Sequence, residues 1–154
     1  MTAQTPVSKR AFLGLIAAGS LAAGLYAFGD RAKSEPIAPE AALARVQDKS
    51  LILVDIRRPD EWALTGVAVG AVALDMRDDG FLAALDHLAG GDRTAPIALI
   101  CARGVRSRKL AARLTEAGFT AVLDVSEGML GSDAGPGWIA RGLPVAPALI
   151  GVDE

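Results

Sequence analysis

The chain is poor in the residues from which most reactive sites are assembled. Its 154 residues include one cysteine, one histidine and one tyrosine, and aromatics make up only 5%. A single cysteine closes no disulfide within the chain, and one cysteine with one histidine cannot supply a zinc site unaided. A cysteine–histidine hydrolase needs those two side chains within hydrogen-bond reach. His87 ends the helix expected before the cysteine strand, so the two fall at opposite edges of a sheet. It reads as a helix-end residue facing terminal carbonyls. A large excess of charge of one sign is missing too. Lys and Arg total 16 against 18 Asp and Glu, a net charge of −2, which leaves no general footprint for nucleic acid. Nor is there a glycine-rich nucleotide fingerprint, an internal repeat or a low-complexity tract.

What is present centres on the stretch Ala98-Leu99-Ile100-Cys101-Ala102-Arg103-Gly104-Val105-Arg106-Ser107. Pro96 to Ile100 is a short apolar run, as expected of a parallel strand covered on both faces. From Ser107 the period changes: Leu110, Ala111, Leu114 and Ala117 recur at helical spacing, with Gly118 as the C-terminal cap and Ser107 as the N-cap. Between them Gly104 allows a bend that turns successive backbone N–H groups toward one point. Strand, glycine-bearing loop and helix N-terminus together make an anion site, and the thiol sits at its floor. Arg106, Arg108 and Lys109 crowd a helix start, where the dipole disfavours cations by roughly 0.3–1 kcal/mol each. A bound anion would offset that. Amide donors, the dipole, Arg103 and Arg106 all favour a thiolate at Cys101.

This stretch resembles the active-site loop of the rhodanese (sulfurtransferase) family. In that family a cysteine ends a central strand and the following backbone amides cradle sulfur. Two further segments carry the resemblance. Leu53-Val54-Asp55-Ile56-Arg57-Arg58-Pro59-Asp60-Glu61-Trp62 resembles the family's strand followed by Asp-x-Arg and Pro-x-Glu-aromatic. Gly137-Trp138-Ile139-Ala140-Arg141-Gly142-Leu143-Pro144-Val145 resembles its C-terminal signature. Together the three cover about Ile37 to Val145. Two departures stand out: Val67 replaces a histidine usual after the glycine at Gly66, and Gly131 to Pro136 is longer and richer in glycine than the common connection.

The resemblance implies a single α/β rhodanese-like domain, with a mainly parallel central sheet flanked by helices. Alternating patterns along the chain agree. Pro39 opens a helix running to Val46, Leu51–Ile56 is a strand, Pro59–Leu64 a helical turn and Val69–Leu74 a further strand. Asp79–Leu88 is an amphipathic helix with Phe81, Leu82, Leu85 and Leu88 on one face. Thr120–Val125 is the last clear strand. Ligands of such sheets bind beyond the carboxyl ends of the strands, where Asp55, Cys101 and Ser126 fall. Asp55 and Arg57 read as structural, Arg57 pairing with Glu61 or Asp60. Glu127 reads as solvated, and Trp62 and Trp138 as core.

Ahead of the domain, Lys9-Arg10 precede an uncharged run from Ala11 to Phe28, about 27 Å long as a helix and near the lower limit for a bilayer. Charges after it cancel, so positive charge lies on its N-terminal side alone and the domain is expected outside the cytoplasm. The segment is a signal peptide or an uncleaved anchor. Ser8-Lys9-Arg10-Ala11-Phe12-Leu13 also resembles a twin-arginine export signal with Lys in the first place. The organisation expected is 1–29 signal peptide or anchor, 30–36 linker, 37–147 rhodanese-like domain and 148–154 tail.

The chemistry implied is sulfur transfer. Cys101 is the nucleophile, and Ala102, Arg103, Gly104, Val105, Arg106 and Ser107 bind substrate and persulfide. The partners are a small-molecule sulfane donor such as thiosulfate and a cyanide or thiol acceptor, with membrane association through 11–28 if the anchor is retained. No cofactor, metal or nucleic acid is implied. Two alternatives of other classes stay open: a membrane-tethered sulfur-carrier or sensing module with little turnover, and a phosphatase or arsenate reductase of related fold. Related phosphatases place their key arginine six residues after the cysteine, where this chain has Ser107.

Overall fold

Strand β5 (Ile97–Ile100) is apolar at every position and lies at the middle of the sheet, buried on both sides. The computed structural model describes residues 34–148. Along this span β1 (Glu35–Pro36), α1 (Pro39–Gln47), β2 (Ile52–Asp55), α2 (Pro59–Thr65), β3 (Val67–Ala68) and β4 (Val72–Ala73) come first. Then follow α3 (Phe81–Leu88), β5, α4 (Val105–Glu116), β6 (Val122–Asp124) and β7 (Val145–Ala146). Five strands form one parallel sheet in the order β1-β6-β5-β2-β4. A small antiparallel pair joins β3 to β7.

A parallel sheet must be covered on both faces, and the period of β5 shows how. Ile97 and Leu99 belong to the core formed with Phe81 and Leu85 of α3 and Leu110, Ala111 and Leu114 of α4. Ala98 and Ile100 belong to the opposite core, with Ala42 of α1, Met129 and Trp138. Cys101 continues the first series, so its side chain emerges beneath α4. Helix α4 ends on a Schellman pair: the Phe119 N–H donates to Leu114 O and the Gly118 N–H to Thr115 O, with Gly118 at φ +95°. The role expected of Gly118 is met there.

Several expected elements differ in extent. Pro39 does open α1, but the strands are shorter than the apolar runs that announce them, because turns take their ends. The 69–74 run keeps only Val72–Ala73, since Gly70 at φ +79° turns the chain just before it. Helix α3 starts at Phe81, and Leu82 lies on its outer side, 42% exposed. Glu35 and Pro36, in the stretch read as a linker, form the edge strand β1 on β6. Proline, which has no N–H to give a further neighbour, suits an edge. β7 escaped the sequence reading, because two residues carry no period. The apolar run 11–28 and the tail 149–154 lie outside the described residues. Among the described residues no helix is long and apolar enough to cross a membrane.

Candidate active site

Cys101 follows β5 directly and is 1% exposed. Its loop bends at Gly104, which adopts a left-handed conformation (φ +73°) and serves as the N-cap of α4. A Cβ there would fall onto the backbone carbonyl oxygen of Ser126, so close packing and backbone angle both require glycine. The turn after β6 makes the reciprocal demand. A Cβ on Gly128 would stand 2.5 Å from Ala102 O and 2.7 Å from Cys101 O. These interlocked glycines press the cysteine loop against the 126–130 turn. There the Met129 N–H donates to Cys101 O (2.8 Å) and the Leu130 N–H to Ala102 O (2.9 Å).

The carbonyls of 101 and 102 are thus engaged by the turn, whereas the loop amides are not. Among the described residues none of the backbone N–H groups from Ala102 to Ser107 donates to a protein acceptor. Three of them, on Val105, Arg106 and Ser107, belong to the unsatisfied first turn of α4. Ser107 is not the N-cap expected of it. The left-handed Gly104 starts the helix earlier, so Ser107 is its third residue and fully buried. Its hydroxyl lies 3.2 Å from Gly104 O and 3.4 Å from the Cys101 sulfur. A negative sulfur would receive that proton as a charge-assisted hydrogen bond.

The cations are less free than their sequence suggests. Arg106 makes a bidentate pair with Glu61 of α2, Nη1 to Oε2 at 2.8 Å and Nη2 to Oε1 at 2.6 Å. Glu61 also accepts the Arg58 N–H at 3.1 Å and so closes the N-terminal turn of α2. The hydrogen bonds of Arg106 hold the Glu61 carboxyl below its ordinary range, against its partial burial. Glu61 in turn raises the pKa of Arg106, and the neighbouring Cys101 adds to the rise. Arg106, in the first turn of α4 one residue before Ser107, is therefore held by a carboxylate at the edge of the cysteine loop. Arg103 is exposed on the rim, where its Nη1 reaches Gly131 O at 3.5 Å. Arg108 and Lys109 are exposed on α4.

The charged residues around the site serve the scaffold. Asp55 and Arg57 are buried together, Nη2 to Oδ2 at 2.7 Å, and Arg57 also reaches Thr65 Oγ1 (2.8 Å) and Gly66 O (2.6 Å). The structural role expected of them holds, but with another partner. Asp60 and Glu61 are engaged by Arg58 and Arg106, while Asp55, two residues before Arg57, is within its own reach. Glu127 is corrected outright: it is buried, not solvated. Arg141 grips both its oxygens at 2.7 Å, and the Gly137 N–H donates at 3.0 Å. Arg141 is thus the main cause holding its carboxyl below the ordinary range. Trp62 and Trp138 are core residues as expected, and the Trp138 Nε1–H donates to Pro144 O at 2.9 Å. The long 131–136 segment folds back on the loop support, with Ser132 Oγ donating to Ser126 O at 2.8 Å.

A parallel sheet that ends on a recessed thiol, followed by unpaired loop amides and a helix N-terminus, defines a class: α/β domains with an anion-binding loop at the carboxyl edge of the sheet. The Rhodanese-like domain family matches residues 38–132, and the chain belongs to that family. Solved structures share the fold. The polysulfide-sulfur transferase homodimer of Wolinella succinogenes is 24% identical, with 80% of this chain and 86% of that chain covered and a TM-score of 0.58. The thiosulfate sulfurtransferase of Pseudomonas aeruginosa is 22% identical, covering 73% of this chain but only 20% of that one, at a TM-score of 0.58. A Rhodopseudomonas palustris protein described as a possible tyrosine phosphatase is 21% identical, with 73% and 85% covered and a TM-score of 0.56. No curated protein matches the chain.

Proposed function

We propose that this protein is a sulfurtransferase that carries sulfane sulfur on Cys101. One observation carries the reading: the recessed sulfur heads a loop whose six consecutive backbone amides, Ala102 to Ser107, have no protein acceptor among the described residues, and the Ser107 hydroxyl lies 3.4 Å from it. A persulfide places one more sulfur, and a negative charge, at that loop. In the first step the Cys101 thiolate attacks the outer sulfur of a donor such as thiosulfate. A sulfur–sulfur bond forms, the donor's own breaks with its electron pair, and sulfite leaves. Cys101 persulfide remains, and the total charge is unchanged. A cyanide ion or thiolate then attacks the outer persulfide sulfur and restores the Cys101 thiolate, completing a ping-pong cycle. Loop amides hold the persulfide, and Arg103 and Arg106 face the charge of donor and leaving group.

The phosphatase reading is weaker on geometry. The sixth position after the cysteine holds Ser107, a buried hydroxyl 3.4 Å from the sulfur, and Arg106 one place earlier is occupied by Glu61. No guanidinium is left to wrap a phosphate from that position. Mass spectrometry of the purified domain, before and after thiosulfate, tests the proposal. A gain of one sulfur atom on Cys101, lost again on adding cyanide with release of thiocyanate, is expected. A gain without turnover would assign the carrier role instead, and no gain from thiosulfate or a persulfide donor would remove sulfur chemistry altogether. We further propose that the domain works outside the cytoplasm, exported by a signal or held by an anchor at 11–28. The charge asymmetry about that run supports this.

A further inference from the structure

Three arginines, Arg58, Arg77 and Arg106, are each matched by a carboxylate. Arg58 pairs with Asp60 at 2.8 Å, Arg77 with Asp75 at 2.5 Å and Arg106 with Glu61 at 2.6 Å. Only the last pair borders the cysteine loop, since Arg106 lies in the first turn of α4 beside Ser107, whose hydroxyl is 3.4 Å from the Cys101 sulfur. Glu61 is 18% exposed and Arg106 33%, so solvent screens this pair less than it screens Arg58 and Asp60, which are 45% and 63% exposed. Among the described residues Arg103 has no carboxylate partner, but it stands on the exposed rim. The half-buried cation nearest the cysteine in the loop is therefore already paired in both its Nη groups.

We infer that Glu61 is a specificity-determining residue that tempers Arg106, so that the site favours sulfur donors of single negative charge, such as thiosulfonates and persulfides, over dianions. Glu61 acts on the reaction only through Arg106 and is a positioning residue. It divides the guanidinium between a fixed carboxylate and the incoming anion, leaving the loop amides to do the sequence-independent part of anion binding. The donor preference rests on the sulfurtransferase reading, whereas the charge effect of Glu61 at the thiol does not.

The test compares Glu61→Gln, Arg106→Gln and the double variant with the unaltered protein. Glutamine at this position keeps an oxygen for the Arg58 N–H, so the turn of α2 stays closed. Thermal melting checks that each variant is folded. The first readout needs no sulfur chemistry: the rate of Cys101 alkylation by anionic iodoacetate relative to neutral iodoacetamide. Glu61→Gln should raise that ratio about threefold to tenfold, Arg106→Gln should lower it, and in the Arg106→Gln background the Glu61 change should have little effect. The second readout is kcat/KM for thiosulfate, a dianion that releases sulfite, against an aryl thiosulfonate, a monoanion that releases a sulfinate. Glu61→Gln should shift this ratio toward thiosulfate by a similar factor. An alkylation ratio that is unchanged or falls in Glu61→Gln overturns the inference, as does an equal loss with both donors. Failure to form a persulfide with either donor, alongside the expected alkylation ratios, would sink the sulfurtransferase reading and the donor preference while leaving the charge effect standing.

Discussion

At the scale of single residues, the site consists of a sulfur and the few atoms that can face its charge. Cys101→Ser should fold normally and lose both sulfur transfer and alkylation, because the hydroxyl nearly matches the thiol in size but not in nucleophilicity. A Ser variant that still moved sulfur from thiosulfate to cyanide would falsify the assignment. Ser107→Ala removes the hydroxyl that, among the described residues, lies within reach of the sulfur, at 3.4 Å. A hydrogen bond to a charged group is worth about 1.5–3 kcal/mol, so persulfide formation should slow about tenfold or more with stability little changed. Stopped-flow alkylation and melting curves separate those two effects. Gly104→Ala should behave in the opposite way. Its Cβ meets Ser126 O and its backbone angle disfavours alanine, so it should lose about 1–3 kcal/mol of stability by denaturant titration. Cys101 and Gly104 were legible in the sequence, since strand, loop and helix are contiguous there. Glu61 and the true place of Ser107 were not. The partner of Glu61 lies 45 residues away, and Ser107 could be placed only once the left-handed Gly104 had moved the helix start.

At the scale of elements, the loop owes its shape to neighbours more than to itself. The 126–130 turn holds the cysteine loop by two backbone hydrogen bonds, and Glu127 within that turn is held by Arg141 and the Gly137 N–H. This long-range clamp explains why a glutamate that looks solvated in the sequence is buried. Its consequence can be read in acid. Glu61 and Glu127 both have carboxyls lowered from an ordinary value of 4.5, each chiefly by its arginine. A carboxyl whose folded pKa is depressed contributes stability that is fully present above its unfolded pKa and lost as pH falls through the folded one. The domain should therefore lose stability as pH drops below about 4.5, with little change above about 6. Glu127→Gln should lower stability near neutral pH and flatten that acid limb, as urea titrations across pH 3 to 7 would record. A variant as acid-sensitive as the parent would show that other carboxylates control the limb. The helices were legible from their periods and caps. The short strands β1, β3 and β7 were not, because two residues pair by tertiary position rather than by pattern, and β4 was legible only as a longer run over 69–74.

At the scale of the whole molecule, the parallel sheet sets where chemistry can occur, and its C-terminal edge gathers Cys101, the turn after β6 and the N-terminus of α4 on one side. That placement was readable before any coordinates, because α/β order alone sends ligands to that edge. What the sheet does not decide is the compartment. The charges about the N-terminal apolar run bear on that. Lys9 and Arg10 precede the uncharged stretch from Ala11 to Phe28, whereas Asp30, Arg31, Lys33 and Glu35 beyond it cancel. Positive residues stay on the cytoplasmic side of an inserting segment, so the 30–154 portion should cross. An exported domain suits a chain with one cysteine, since an oxidising compartment offers that thiol no partner within the chain and leaves it free for sulfur. Fusing to Glu154 a reporter that works only in the cytoplasm should give a silent protein, and a reporter that needs disulfides should be active. Replacing Lys9 and Arg10 with Glu should weaken or reverse the result, because the charge bias then disappears. A full-length fusion whose cytoplasmic reporter is active would place the sulfur chemistry inside the cell and turn the 11–28 run into something other than an export element.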